Sequence, residues 1–337
     1  MRLIGGHDIW RLYPMANAIE DARAAYAATS EGATVTPLRT KVEIDADRTL
    51  LTMPAYSPKL EEAAIKIIGL FPNNAATGKP TAPATVVLLD ATTGEPLALL
   101  DGDVVTKIRT GASSGLAFAL LANPDSRIGA VVGTGGQAPT QVAAQIAACP
   151  RLEQIRIANP IEGEAQRFVA ALRDHPSFPA DWEGTIEAFT DADTAIAGAD
   201  VVTLVTSSTA PVISASALSR GVTVSCVGSY QPHMQECGSD TMRAADRIYC
   251  DVTEAALAES GDLIIPLRDG DIERSAILGD IGDVARGACE GRGHAEEIIV
   301  YETVGVGAQD LWAAHAIVEA ACRAGAGTVW PDEAASV

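Results

Sequence analysis

The run Gly133-Thr134-Gly135-Gly136-Gln137-Ala138 stands between an apolar stretch, residues 128–132, and a helical stretch, residues 140–148. A buried strand, a tight glycine turn and a helix N-terminus in that order make a dinucleotide pyrophosphate site. Gly133 permits the turn and Gly135 lets the backbone approach the phosphates. Ala138, in place of a third glycine, is small enough for the helix to pack on the strand. The helix start offers unpaired N–H groups and the positive end of a dipole to the anion. An ordinary glycine turn in an α/β domain is the competing reading of the same residues.

The surroundings of the turn favour the first reading. From residue 128 the chain alternates strands (128–132, 155–158, 201–205, 222–227 and 247–251) with helices such as 161–172 and 192–197. That alternation is the signature of a doubly wound parallel sheet. Upstream the order differs. After one helical stretch, residues 13–28, come short β-like runs at 34–38, 50–53, 64–71, 85–89 and 97–100, with turn signals at Asn73-Asn74 and Thr93-Gly94. Strand after strand without helices argues against a parallel sheet there. Residues 111–121 read as a helix of small residues closed by Pro124-Asp125. Residues 308–324 read as a last helix, with Gly325 as its stop, that packs back onto the N-terminal part. At 337 residues the chain has room for two domains. The expected fold class is α/β, a Rossmann-type doubly wound parallel sheet plus a second α/β domain.

A net charge of −20 argues against nucleic acid and against acidic membrane surfaces as partners, because both need clustered Lys and Arg. No apolar run approaches the roughly 20 residues needed to span a bilayer. The N-terminus has neither the basic nor the long apolar region of a signal peptide. The expectation is a cytoplasmic protein. Six cysteines, scattered through apolar runs without a C-x-x-C pair, read as reduced core residues, and no metal site is expected.

Lysine is rare: there are five, none beyond Lys107. Lys66 lies in the apolar run Ala64-Ile65-Lys66-Ile67-Ile68, on one strand face with Ala64 and Ile68. Such a lysine needs a partner or a shifted pKa, and an interior salt bridge or an edge-strand position accounts for it as well as a functional role does. Arg109 stands just before the predicted helix at 111, where the helix dipole disfavours a cation. Its presence there points to an anion, and its fork suits a carboxylate. A surface position or an internal ion pair is the alternative. Asp310, at the start of the last helix, reads equally well as a helix-start carboxylate or a site residue. His233 lies in a loop, and His7, His175, His294 and His315 have no partner visible in the sequence.

Several ordered motifs carry a resemblance. Lys107-Ile108-Arg109-Thr110-Gly111-Ala112-Ser113-Ser114-Gly115-Leu116-Ala117 is followed by Val132-Gly133-Thr134-Gly135-Gly136-Gln137-Ala138. Met53-Pro54-Ala55 precedes Lys66 with Pro72-Asn73-Asn74, then Asp90 through Gly94-Glu95-Pro96. Val227-Gly228-Ser229 leads to Glu236, and Val304-Gly305 to Asp310. Together they resemble the ornithine cyclodeaminase/mu-crystallin family over nearly the whole chain.

The resemblance implies residues 114–307 as the Rossmann dinucleotide-binding domain. Residues 1–113 with 308–337 would form a substrate-binding and dimerisation domain, the active site would lie in the cleft between the two, and the chain would act as a homodimer. It implies NADPH or NADH as cofactor and a small-molecule carboxylate as substrate. Lys66 and Arg109 would be catalytic. Arg39, Lys66, Arg109 and Tyr230 would contact substrate. Thr110, Gly133, Thr134, Gly135, Gly136, Gln137, Ala138, Asn159, Thr206, Ser207, Val304 and Gly305 would line the cofactor.

One departure narrows the activity. Tyr230 stands where the family's cyclodeaminases carry an aspartate, and tyrosine, with an ordinary pKa near 10, is a poor general base at neutral pH. The form around Tyr230 resembles the reductases of cyclic ketimines, Δ1-pyrroline-2-carboxylate and Δ1-piperideine-2-carboxylate. An amino-acid dehydrogenase (alanine or an N-alkyl amino acid), an ornithine cyclodeaminase and a non-enzymatic NADPH-binding protein follow as alternatives. Keeping Arg39, Lys66 and Arg109 together counts against the last. Asn159 and Pro160 are neutral where a carboxylate would favour NAD and a basic residue NADP, so acceptance of both coenzymes is expected. Glu302-Thr303 stands where many relatives have a lysine.

Overall fold

The computed structural model describes residues 1–330. They form two compact units: Met1–Arg109 together with the chain from Val306, and Thr110–Gly305.

In the first unit, strands β1 (Arg2–Ile4), β2 (Thr40–Glu43), β3 (Thr49–Ser57), β4 (Glu62–Leu70), β5 (Ala84–Asp90) and β6 (Pro96–Asp101) form one sheet with the short strand Thr328–Val329. The sheet runs from Thr328–Val329 through β1, β6, β5, β4 and β3 to β2. The pairs from β2 to β6 are antiparallel, as the sequence suggests, while β1 lies parallel to β6. Side chains alternate across the pleat. Leu51, Met53 and Ala55, then Ala64, Lys66 and Ile68, then Val86 and Leu88 are all buried. Helix α2 (Met15–Ser30) and the C-terminal helix, Gly307–Ala324, pack on each other, and the C-terminal helix packs on β3, β4 and β5. Buried Leu311, Ala314, Ile317 and Ala321 give that helix its apolar stripe, and Gly325, at φ +62°, ends it.

The helix expected at 13–28 is α2, which begins after Pro14, and a further helix, α1 (Gly6–Leu12), precedes it. Two expectations change here. Residues 34–38 make only a single bridge, Val35 to Tyr56, and the edge strand is β2 instead. The helix expected at 111 begins at Gly102, as α3 (Gly102–Leu121). The Asp101 carboxylate accepts the Asp103 and Val104 N–H groups, which caps α3. The β-branched run Val104-Val105-Thr106 hides this start from propensity. Arg109 therefore lies well inside α3, and the argument from its position at a helix start falls.

In the second unit β7 (Ile128–Val132), β8 (Gln154–Ala158), β9 (Thr185–Phe189), β10 (Val201–Leu204), β11 (Thr223–Cys226), β12 (Arg247–Cys250), β13 (Ile277–Asp280) and β14 (Ile299–Glu302) form one sheet. Its order is β13-β12-β14-β11-β10-β7-β8-β9, and every pair is parallel. Both faces are covered. Val132, Val202, Leu204 and Val224 belong to one core, and Val131, Ile155, Ile157 and Val201 to the other. The chain steps outward from β7 to β8 and β9, then restarts on the other side of β7 with β10. This reversal places the topological switch point between β7 and β10. Strands β9, β13 and β14 were not visible in the sequence pattern.

No helix among the described residues is long and apolar enough to cross a membrane. All six cysteines are free, but only Cys149, Cys226, Cys237 and Cys250 are core residues; Cys322 is exposed and Cys289 half-buried. His315 has a partner after all, the Glu62 carboxylate at 2.9 Å.

Candidate active site

In the first unit β4 delivers Lys66 to the buried face of the sheet, and the C-terminal helix delivers Asp310 against it. Lys66 Nζ lies 2.9 Å from Asp310 Oδ1 and 2.8 Å from Oδ2, and neither residue has exposed surface. Arg109 approaches the same carboxylate, with Nε 3.5 Å from Asp310 Oδ1. Gln309 fixes Arg109 from both sides: its Oε1 accepts from Nη1 at 3.3 Å, and its Nε2 donates to the Arg109 carbonyl at 3.1 Å. The ion-pair reading of Lys66 is thus correct at the level of contacts.

Burial pushes the Lys66 ammonium down to about 7; the charges of Arg109 and Arg39 add to this, and Asp310 opposes it. Lys66 and Arg109 share one buried carboxylate, and the charge of Arg39 acts on Lys66. Two basic groups on one carboxylate suit an additional small anion. Asp310 is the residue that sequence reasoning undervalued. Its signal was a carboxylate on the apolar stripe of a helix, four residues before Ala314 and seven before Ile317.

In the second unit the sequence-predicted residues gather at the carboxyl ends of the parallel strands. Gly133 has φ +111°, and a Cβ there would lie 2.5 Å from the Val205 carbonyl oxygen, so the turn after β7 tolerates only glycine. Nothing lies within 4 Å of a Cβ built on Gly135, so its backbone is open to an approaching group. Helix α4 (Ala138–Ala148) starts without any side-chain cap, but its Ala138 N–H donates to the Gly135 carbonyl at 3.0 Å and Pro139 has no N–H, so the helix start offers an anion its dipole rather than the free N–H groups expected from the sequence. Ala138 is fully buried. These features fit the pyrophosphate of a dinucleotide. Asn159, after β8, donates to Thr134 Oγ1 at 2.7 Å and accepts the Ile161 N–H at 2.9 Å, so it braces the glycine turn.

Thr206 and Ser207 follow β10, Tyr230 lies on the loop after β11, and Thr110 is buried in α3. The Val304 and Gly305 N–H groups both donate to Asp251 Oδ2, at 3.0 and 2.6 Å, which shapes the turn after β14. Glu302 is buried and accepts from Ser260.

A Gly133→Ala substitution is expected to weaken NADH binding at least tenfold, because the new methyl group meets a backbone carbonyl and the residue must adopt a disfavoured φ. Fluorescence titration of the coenzyme measures this. An unchanged Kd would separate the turn from nucleotide binding.

The ornithine cyclodeaminase/mu-crystallin family model matches residues 5–325. The chain belongs to that family. Within the family, the chain is similar to the Δ1-pyrroline-2-carboxylate reductase of Bacillus cereus, with 34% identity over 97% of this chain and 98% of the other. Among solved structures it is similar to Thermococcus litoralis Δ1-pyrroline-2-carboxylate reductase in complex with NADH and L-proline. That likeness has a TM-score of 0.92 and 30% identity, over 98% of this chain and 100% of the other. An archaeal alanine dehydrogenase dimer with bound NAD gives a TM-score of 0.88 at 26% identity, over 97% of this chain and 98% of the other.

Proposed function

We propose that this chain is an NAD(P)H-dependent reductase that converts Δ1-pyrroline-2-carboxylate and/or Δ1-piperideine-2-carboxylate to L-proline and L-pipecolate. The observation that carries the reading is the buried meeting of Lys66 and Arg109 on the single carboxylate of Asp310, with the charge of Arg39 acting on Lys66; such a grouping fits a small carboxylate. The full-length likeness to reductases of that substrate supports it further.

Arg109 and Arg39 hold the carboxylate. Lys66 holds a proton for the imine nitrogen, and as an ammonium near its titration point it gives that proton up readily. A protonated imine is the electrophile at C2. When bound by the residues after β7, β8, β10 and β14, reduced nicotinamide supplies the hydride that C2 accepts. No carboxylate stands at Asn159 to repel a 2′-phosphate and no basic residue stands at Pro160 to attract one, so NADPH and NADH both serve.

Absorbance of the reduced nicotinamide tests the reading directly. Rapid oxidation with either cyclic imine is expected with both coenzymes. Silence there, with turnover of pyruvate plus an amine, would favour the amino-acid dehydrogenase, a second reading that the archaeal alanine dehydrogenase likeness supports.

The protein is proposed to act as a cytoplasmic homodimer. In the first unit, the sheet face opposite Lys66 exposes Val42, Tyr56 and Ile67, with β2 fully exposed at the edge. Such a face is what a second copy would cover. A Val42→Glu, Ile67→Glu double variant is expected to halve the mass seen by light scattering; a monomeric wild-type protein would refute the dimer.

A further inference from the structure

Thr206 and Gly228 are residues of the loops that leave the carboxyl ends of β10 and β11, neighbouring strands beside the switch point. The Glu236 side chain lies between these loops, completely buried. Its Oε1 accepts the Thr206 N–H, and its Oε2 accepts the Gly228 N–H at 2.5 Å. The carboxylate also sits 2.5 Å from where a Gly228 Cβ would be, so the loop backbone is pressed against it. Glu236 is anchored in turn. Its own N–H and that of Cys237 donate to Asp262 Oδ1, at 2.7 and 3.0 Å. Asp262 opens the helix Gly261–Asp269, where its N–H donates to Ser260 and Ser229.

None of the ion pairs among the described residues reaches Glu236. The titratable groups facing it are all acidic or thiol: Asp262 from the helix, Glu302 from β14, and Cys237 beside it in the chain. Donors of the two loops hold this charge: the Thr206 N–H and its side-chain hydroxyl from one, and the Gly228 and Val227 N–H groups from the other. A buried carboxylate has weaker claims than an apolar side chain to a purely packing role, because its desolvation is costly without a compensating task.

We propose that Glu236 is a positioning residue for the nicotinamide cofactor, whose ionised carboxylate ties the loops after β10 and β11 in their binding conformation. This rests on the reading that the second unit binds the cofactor. Burial raises the Glu236 carboxyl to about 7, against the pull of its N–H donors. The ionised form is the tie. Cofactor affinity is therefore highest above that value and declines as pH falls through it.

The test is NADH titration of the full-length protein from pH 5.5 to 8.5, for wild type and Glu236→Gln. In the variant one loop N–H faces an amide NH₂ instead of an oxygen. Its Kd at pH 8.5 is expected to rise on the order of tenfold, by loss of a charge-assisted hydrogen bond. It should also be flat with pH and equal to the acid limit of the wild type. Glu236→Asp, charged but too short to reach both loops, should keep the pH dependence with weaker binding, which covers the case where the glutamine variant folds poorly. Wild-type Kd and pH profile in Glu236→Gln would overturn the proposal and leave cofactor binding intact. Absence of NADH binding by the wild type would overturn both.

Discussion

Lys66→Met is expected to lower kcat/KM for the cyclic imino acid by about 10²–10⁴-fold, the usual contribution of a positioned acid or base. Methionine keeps the length and apolar stem of the lysine on β4 but can neither hold the proton nor add to the anion grip. The Kd for NADH should change little, because the glycine turn, Asn159 and the loop after β10 are built from residues of the second unit alone. Removing one partner of a buried pair also costs stability, about 3–5 kcal/mol where nothing replaces it. Here Arg109, already 3.5 Å from Asp310, remains to partner the carboxylate, so the loss should be smaller. A thermal melt separates the two effects. Retention of kcat/KM within threefold of wild type, in a folded variant, would remove Lys66 from the chemistry.

Asp310→Asn is expected to shift the pH dependence rather than only the rate. Asp310 is the acidic partner that holds the Lys66 proton against burial and against Arg109 and Arg39. If the ammonium is the acting form, wild-type kcat/KM falls as pH rises through about 7. Without the carboxylate that limb should move to lower pH by about 1–3 units, the usual effect of losing a close opposite charge. At pH 7 the variant is then about 5- to 500-fold slower, and it recovers towards acid.

Stability follows the same proton with a definite sign. The folded lysine titrates at about 7, below its ordinary 10.5, so between those values the unfolded chain binds more protons. Stability therefore rises with pH across that window, and in Asp310→Asn the window extends to lower pH. A variant with an unmoved pH-rate limb would show that Asp310 does not set the Lys66 proton.

The dinucleotide turn was legible because its strand, glycines and helix are contiguous, and each glycine answers a local steric demand. The C-terminal helix was legible for the same reason, from its apolar stripe and the Gly325 stop. The start of α3 was not, because a β-branched run conceals a cap made by Asp101. Strands β9 and β13 carry exposed and half-buried positions instead of a continuous apolar run, and β14 ends in Tyr301 and Glu302, so the pattern that marks the other strands is missing. The site of the first unit was half legible. Lys66 and Arg109 stood out as cations in odd places, but the carboxylate that joins them comes from the far end of the chain. Glu236 was invisible as a structural tie because its partners are mainly backbone N–H groups, which every residue has.

The Lys66–Asp310 pair spans 244 residues of chain. At roughly 5–20 residues per second of synthesis, the lysine waits about 12–50 s for its counter-ion. The second unit is one continuous segment and can finish while the ribosome is still at work, whereas the first stays open until its closing helix emerges. A nascent chain stalled before Gly307 would thus carry a complete dinucleotide fold beside a sheet whose lysine has no reason to stay buried. Emergence of that closing helix is the step at which Lys66 meets its counter-ion.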